Sequence, residues 1–391
     1  MIKRLIFRVG GVVALVCAVS AALWGQTAPP AAVRSPMQIH DIMKRVMDFQ
    51  VKAFGDTASI NWQAAPFWVG VLAANRATGD DAFYQAAKAW GGKTGWKVSQ
   101  RYFHADDVAV GQAFEEMYLK EKNAEMVADL KSKLEQYLTK GSVTNRDVAH
   151  GPATQPWSGR TVWWWCDSLF MAPPALARMY SITGDKRYLD LLHSMWWDTT
   201  AYLFDESEGL YFRDDSYFFD KRKSPSGAKV FWSRGNGWVY GGIIRVLDYL
   251  PADDPQRAKY LDLFRKMTAK LIKLQGEDGF WRTSLNEPTW MTEPESSGTG
   301  FFTFGLLAGI NRGYLDRETY LPAALKGWDA LCGVVTPDGG VGFAQPVGAE
   351  PKPPTANSFM QFSQGAFLLA GSELYVLQSG GKEAAPIVPD R

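Results

Sequence analysis

Three tryptophans stand directly before an acid in Trp163-Trp164-Trp165-Cys166-Asp167-Ser168-Leu169-Phe170-Met171. Aromatic walls strip water from a carboxyl group and raise its pKa, so that it holds a proton near neutral pH and can act as a general acid. Asp167 also lies where a loop becomes a helix. Capping that helix, worth about 1 kcal/mol, is its competing use. A second acidic pair stands in His104-Ala-Asp106-Asp107-Val-Ala-Val-Gly111. Either acid can cap the following helix, and either can be the second carboxylate that sugar chemistry often uses. The third constellation is Phe231-Trp232-Ser-Arg234-Gly-Asn236-Gly-Trp238. Glycine lets the backbone approach a ligand closely, and arginine grips a carboxylate with two parallel hydrogen bonds. Its bland alternative is an arginine satisfying a helix end between core tryptophans.

Two further stretches carry weaker signals. Arg213-Asp214-Asp215-Ser-Tyr217 reads as part of a site or as a solvated hairpin. Glu295-Ser-Ser-Gly-Thr-Gly300 reads as a cap on a buried helix, with its hydroxyls near a ligand as the other use. His40, His150 and His193 are scattered and read as structural or surface residues.

The elements that must position these groups are helical. Apolar residues recur at three-to-four spacing in Ile39–Ala53, Phe67–Arg76, Ala82–Trp90, Val108–Tyr118, Met126–Tyr137, Leu169–Tyr180, Tyr188–Tyr202, Trp238–Leu250, Ala258–Leu274, Gly300–Tyr314, Tyr320–Leu331 and Met360–Leu377. The punctuation Ala77-Thr-Gly-Asp80 recurs as Ile182-Thr-Gly-Asp185. In each, glycine ends one helix and aspartate caps the next. A dozen helices paired in this way predict an all-α fold, six hairpins closed into an (α/α)6 toroid, with an open solenoid or two bundles as alternatives. Long loops at Gly141–Arg160, Glu206–Gly237 and Glu277–Ser297 are expected on the functional face, with tight turns at Asp278-Gly279 and Asp338-Gly339.

The chain of 391 residues bears a formal net charge of +1, which disfavours a nucleic-acid partner. It holds 16 Trp, 15 Tyr and 22 Phe. That aromatic load suits both a large core and a sugar cleft, where indole faces stack on pyranose rings. Residues 1–26 read as a signal peptide: Lys3, Arg4 and Arg8 precede the apolar stretch Gly10 to Leu23, in which Cys17 is an ordinary member. The expected order is leader 1–26, tail 27–36, one catalytic domain 37–380 and tail 381–391. The exported protein is expected in the periplasm or secreted, with no membrane span after cleavage. Cys166 and Cys332 form no disulfide framework and no metal site. There is no GxSxG elbow, HExxH, P-loop or strand-borne GxGxxG, so serine-hydrolase, zinc and nucleotide chemistries have no support.

The motifs Trp165-Cys-Asp167-Ser-Leu-Phe-Met171, Trp232-Ser-Arg-Gly-Asn-Gly-Trp238 and Glu295-Ser-Ser-Gly-Thr-Gly300 resemble those of glycoside hydrolase family 105, unsaturated rhamnogalacturonyl hydrolases related to the unsaturated glucuronyl hydrolases of family 88. The likeness runs in order from Ile39 to Leu377. It implies an (α/α)6 barrel without cofactor or metal, acting on unsaturated oligosaccharides as a monomer or homodimer. It also implies an aspartate that protonates C4 of a Δ4,5-unsaturated uronic acid while water adds at C5. That role falls on Asp167, with Asp107 rather than Asp106 as the supporting carboxylate. Trp232, Arg234 and Trp238 fall on substrate-binding positions, the arginine suiting a uronate carboxylate; Asp106, Trp165, His104 and Arg213 complete the expected site. Ser168 stands where some members carry a second aspartate, and Arg213–Tyr217 where some carry a histidine. The expected substrate is an unsaturated rhamnogalacturonan disaccharide, with unsaturated glucuronyl oligosaccharides from ulvan-like or glycosaminoglycan-like polymers as the alternative. An ordinary inverting glycosidase, its carboxyls about 6.5–9.5 Å apart, and a non-catalytic sugar-binding protein are the rival readings.

Overall fold

The computed structural model describes residues 34–54, 58–101, 103–140 and 163–380. The expected leader, the C-terminal tail 381–391 and the loop Gly141–Arg160 with His150 lie outside the described residues. Among those described, the helices are α1 (Pro36–Phe54), α2 (Ala64–Thr78), α3 (Asp81–Thr94), α4 (Gly111–Glu121), α5 (Glu125–Lys140), α6 (Ser168–Met171), α7 (Pro173–Thr183), α8 (Arg187–Leu203), α9 (Ser233–Leu247), α10 (Arg257–Leu271), α11 (Ser296–Asn311), α12 (Arg317–Gly333) and α13 (Gln361–Ser379). One two-stranded antiparallel ladder joins β1 (Phe204–Asp205) to β2 (Leu210–Tyr211).

The fold is the (α/α)6 toroid. Its inner wall is a closed ring in which α2 packs on α4, α4 on α7, α7 on α9, α9 on α11, α11 on α13 and α13 back on α2. The inner members α9 and α11 are buried all round, whereas α1, α5 and α10 on the outside present one apolar stripe to the ring and charge to solvent. The ring closes tightest between α2 and α13. A Cβ on Gly70 would lie 2.6 Å from the Gly365 carbonyl, and one on Gly365 would lie 2.3 Å from Pro66, so only glycine lets these backbones meet.

The punctuation behaves as its chemistry dictates. Gly79 ends α2 at φ 74°, and the Asp80 carboxylate accepts the Ala82 N–H at 2.9 Å to start α3. Gly184 repeats the stop at φ 76°. Three elements depart from the sequence expectation. Leu169–Tyr180 is two helices, because Pro173 and Pro174 cannot continue the turn that α6 begins. Val108–Tyr118 resolves into a 3-10 turn at Ala105–Val108 followed by α4. The helix expected from Trp238 begins at Ser233, so Gly235, Gly237 and their neighbours wind into its first turns.

Because outer and inner helices alternate, every inner helix starts at the same end of the ring. The segments before α2, α4, α6, α9, α11 and α13 therefore gather on one face, and so do the positive dipole ends of those helices. The opposite end is closed by charge. Glu116 of α4 accepts from Arg178 of α7 and Arg245 of α9, each at 3.0 Å, and from Arg76 of α2. Burial works to raise its carboxyl, but the three guanidiniums overcome this and hold it at about 2.

Candidate active site

Three of the gathered segments and one helix start supply the expected residues: the 3-10 turn before α4, the Trp-rich loop entering α6, the stretch after β2 and the first turns of α9. Asp167 occupies the N-cap position of α6 but makes no capping hydrogen bond. Its carboxylate is free for other work. Oδ2 accepts from the Cys166 thiol at 3.5 Å and lies 3.8 Å from Arg213 Nε. Burial raises the pKa of Asp167, while Arg213 and Arg234 pull it partly back.

The adjacent acids of the 3-10 turn have separate environments. Asp107 is fully buried and accepts from the Arg101 backbone N–H and from Arg101 Nε at 2.8 Å, with Arg101 Nη2 in ion-pair contact at 2.6 Å. Asp106 has no such partner; Arg101 and His104 approach it only to 3.8 and 3.7 Å. Burial pushes Asp106 up to about 7, with Arg101 opposing and the charges of Asp167 and Asp107 adding to the rise. The carboxylate that shares a field with Asp167 is thus Asp106. Asp107, expected in that role, has its oxygens committed to Arg101 because the turn points it inward.

His104 tilts against Trp165 with ring centroids 5.0 Å apart. Burial, then Arg101 and Lys133, lowers its pKa to about 4, so the imidazole is neutral at ordinary pH. Trp165 is buried beside Trp164, and the Arg213 guanidinium lies 5.5 Å over the Trp164 ring. Arg213 also donates to Asp214 Oδ2 at 2.5 Å.

The Trp-Ser-Arg-Gly-Asn-Gly-Trp segment is more deeply set than expected. With α9 starting at Ser233, positions 234 and 238 share one helical face and point into the ring. Trp238 is wholly buried among Phe301, Phe170 and Trp62 at 4.6, 5.0 and 6.0 Å. Trp232 is 1% exposed and donates to Gln345 Oε1 at 2.5 Å. Both are buried, so their expected part in substrate binding would be from beneath the residues that reach solvent. Arg234 sits between the rings of Trp232 and Phe362, at 4.4 and 4.6 Å. Its Nη1 and Nη2 donate to the carbonyls of Gln345 and Pro346 at 2.6 and 3.1 Å. Burial brings its pKa down to about 10, so it remains cationic. It supplies positive charge beneath the site and anchors the loop before α13. Arg213, unlike Arg234, keeps its side chain partly in solvent, at 15% exposure.

Two residues outside the sequence expectation hold this arrangement together. Asn236 accepts the Tyr211 N–H at 2.8 Å and donates to the Tyr211 carbonyl at 3.0 Å, pinning β2, and Arg213 just beyond it, to α9. Arg101 fixes Asp107. Gly235 leaves room for the sulfur, since a Cβ there would press on Cys166 Sγ at 3.0 Å. Glu295 takes its capping role: it accepts from the N–H groups of Ser297 and Gly298 at 2.9 and 2.7 Å and from the Ser233 hydroxyl at 3.3 Å. An asparagine between glycines in a Trp-rich segment was the visible signal for Asn236; the pairing of Arg101 depended on how the turn folds.

The family model described as "Glycosyl Hydrolase Family 88" matches residues 37–378. An "Unsaturated 3S-rhamnoglycuronyl hydrolase" of Formosa agariphila is 38% identical over 82% of this chain and 86% of its own. A protein of the same name from Alteromonas sp. (strain LOR) is 35% identical over 81% of this chain and 77% of its own. A solved structure titled "Polysaccharide Lyase BACCELL_00875" superposes with a TM-score of 0.80 at 30% identity, covering 88% of this chain and 98% of that one.

Proposed function

The chain belongs to Glycosyl Hydrolase Family 88, and from that premise we propose that it removes a Δ4,5-unsaturated uronic acid from the non-reducing end of lyase-generated oligosaccharides. The observation that carries the mechanism is Asp167: a carboxyl group with no capping role, buried behind tryptophans and raised in pKa, with a second raised carboxyl, Asp106, in the same field.

The substrate's double bond joins C4 to C5 and is conjugated with the ring oxygen. Asp167 gives its proton to C4, and positive charge develops at C5 and the ring oxygen. Asp106, when ionised, faces that charge and stabilises it. Water attacks C5 and its proton returns to the Asp167 carboxylate, completing the acid–base cycle. The hemiketal then opens and the shortened sugar leaves. Arg213, with Arg234 behind it and the inner-helix N-termini around them, favours the anionic uronate.

For the linked sugar, identities of 38% and 35% with relatives named for the 3S-rhamnoglycuronyl class favour that substrate class over the rhamnogalacturonan disaccharide expected from the motifs. Feeding the enzyme both unsaturated substrates in competition tests the choice: preferential loss of the rhamnoglycuronyl compound supports it, and preferential loss of the rhamnogalacturonyl compound overturns it. A lyase reading is favoured only by the name of one structural relative at 30% identity. It predicts that the ultraviolet enol-ether band grows on intact polymer, whereas hydration consumes the band. The reading takes the enzyme as a monomer or homodimer, which sedimentation would tell apart.

A further inference from the structure

Both polar neighbours of Asp167 approach the same oxygen. The Cys166 thiol donates to Oδ2 at 3.5 Å, and Arg213 Nε lies 3.8 Å from that atom. No other described side chain donates to the carboxylate, whose remaining donor is Asp167's own backbone N–H. The two neighbours are tied to each other, since the Cys166 N–H donates to the Arg213 carbonyl at 2.9 Å. Gly235 leaves room for the sulfur, and Asn236 holds β2 so that Arg213 stays beside it.

We infer that Cys166 and Arg213 are positioning residues that keep Oδ2 of Asp167 as the accepting oxygen, so that the transferable proton resides on Oδ1. This rests on the reading of Asp167 as the acid. A carboxylic acid has two oxygens and one proton, and a misplaced proton is useless to C4. A donor already seated on Oδ2 disfavours the wrong placement before substrate arrives. The thiol retains its proton for this task, because burial and the Asp167 charge push its pKa well above the usual value. The other charged groups acting on Asp167 or the thiol are Arg234 of α9, Asp106 of the 3-10 turn and Asp214 beyond β2. None of these donates to Oδ2.

The test compares native enzyme, Cys166→Ala and Cys166→Ser in kcat/KM against pH on an unsaturated oligosaccharide, with thermal melting of each. Alanine removes a donor to the charged form, so Asp167 holds its proton more tightly. The basic limb of the profile moves up by a few tenths of a pH unit to about one unit, and kcat falls several-fold with KM little changed. Serine restores a donor, returning the limb to the native position or below it and recovering most of kcat. Should alanine fail to fold, the serine profile alone decides, since a limb displaced upward in Cys166→Ser contradicts the inference. Superimposable profiles for all three enzymes, or equal losses in alanine and serine, overturn it. Turnover in Asp167→Asn would instead overturn the underlying reading, so the two failures are distinguishable.

Discussion

Asp106 and Asp107 are consecutive in one 3-10 turn, yet Asp107 is locked by two hydrogen bonds and an ion-pair contact from Arg101 while Asp106, approached by Arg101 and His104 only to 3.8 and 3.7 Å, lies in the field of Asp167. Their substitutions should therefore part company. Asp107→Asn removes the buried charged acceptor of the half-exposed Arg101 and is expected to cost about 1–2 kcal/mol in denaturant unfolding. Asp106→Asn relieves a buried charge. An acid raised to about 7 in the folded state costs stability as pH rises from its ordinary value toward 7. At pH 8 that variant should melt at or above the native temperature while kcat falls by about 10²-fold or more.

The rate should fall as pH rises through the raised pKa of Asp167, because the working form carries the proton. Asp106 carries its charge only above about 7, and there its removal in Asp106→Asn lets Asp167 ionise more readily. The basic limb of its residual activity should move to lower pH, opposite to the shift expected for Cys166→Ala. A limb that stays fixed would mean the two carboxyls do not share a field.

Arg234→Lys keeps the charge and loses the fork. Lysine cannot reach the Gln345 and Pro346 carbonyls together while lying between Trp232 and Phe362. The expected result is a KM raised by about tenfold or more, with faster proteolysis in the loop before α13. Unchanged KM and proteolysis would show that charge alone is required.

At the far end of the ring, Glu116→Gln leaves three arginines facing a neutral group. Its expected cost is about 3–5 kcal/mol at neutral pH, with kcat and KM of the folded fraction unchanged. The Glu116 carboxyl is depressed to about 2, so its contribution is complete above the ordinary glutamate value and is lost as pH falls toward 2. The gap between native and variant stability should narrow over that range.

The helices, their punctuation and the toroid were legible because apolar spacing and the Thr-Gly-Asp stops are local signals. The early start of α9 was hidden by its glycines, which lower helix propensity although burial in the ring overrides it. The burial of Trp232 and Trp238 in the ring follows from that early start and was not visible in the spacing. Asp167 was legible from its tryptophans. The choice between Asp106 and Asp107 was not, because it turns on which side of a single 3-10 turn faces Arg101. Arg213 and Asn236 meet only through the pairing of a two-residue strand with a helix that starts 22 residues later.

The central claim is that Asp167 hydrates an enol ether. Its most direct test follows the ultraviolet enol-ether band of an unsaturated rhamnoglycuronyl oligosaccharide mixed with native enzyme and, separately, with Asp167→Asn. The band should vanish with native enzyme and persist with the variant. Persistence with both while a saturated oligosaccharide is cleaved, or equal decay with both, would contradict the account.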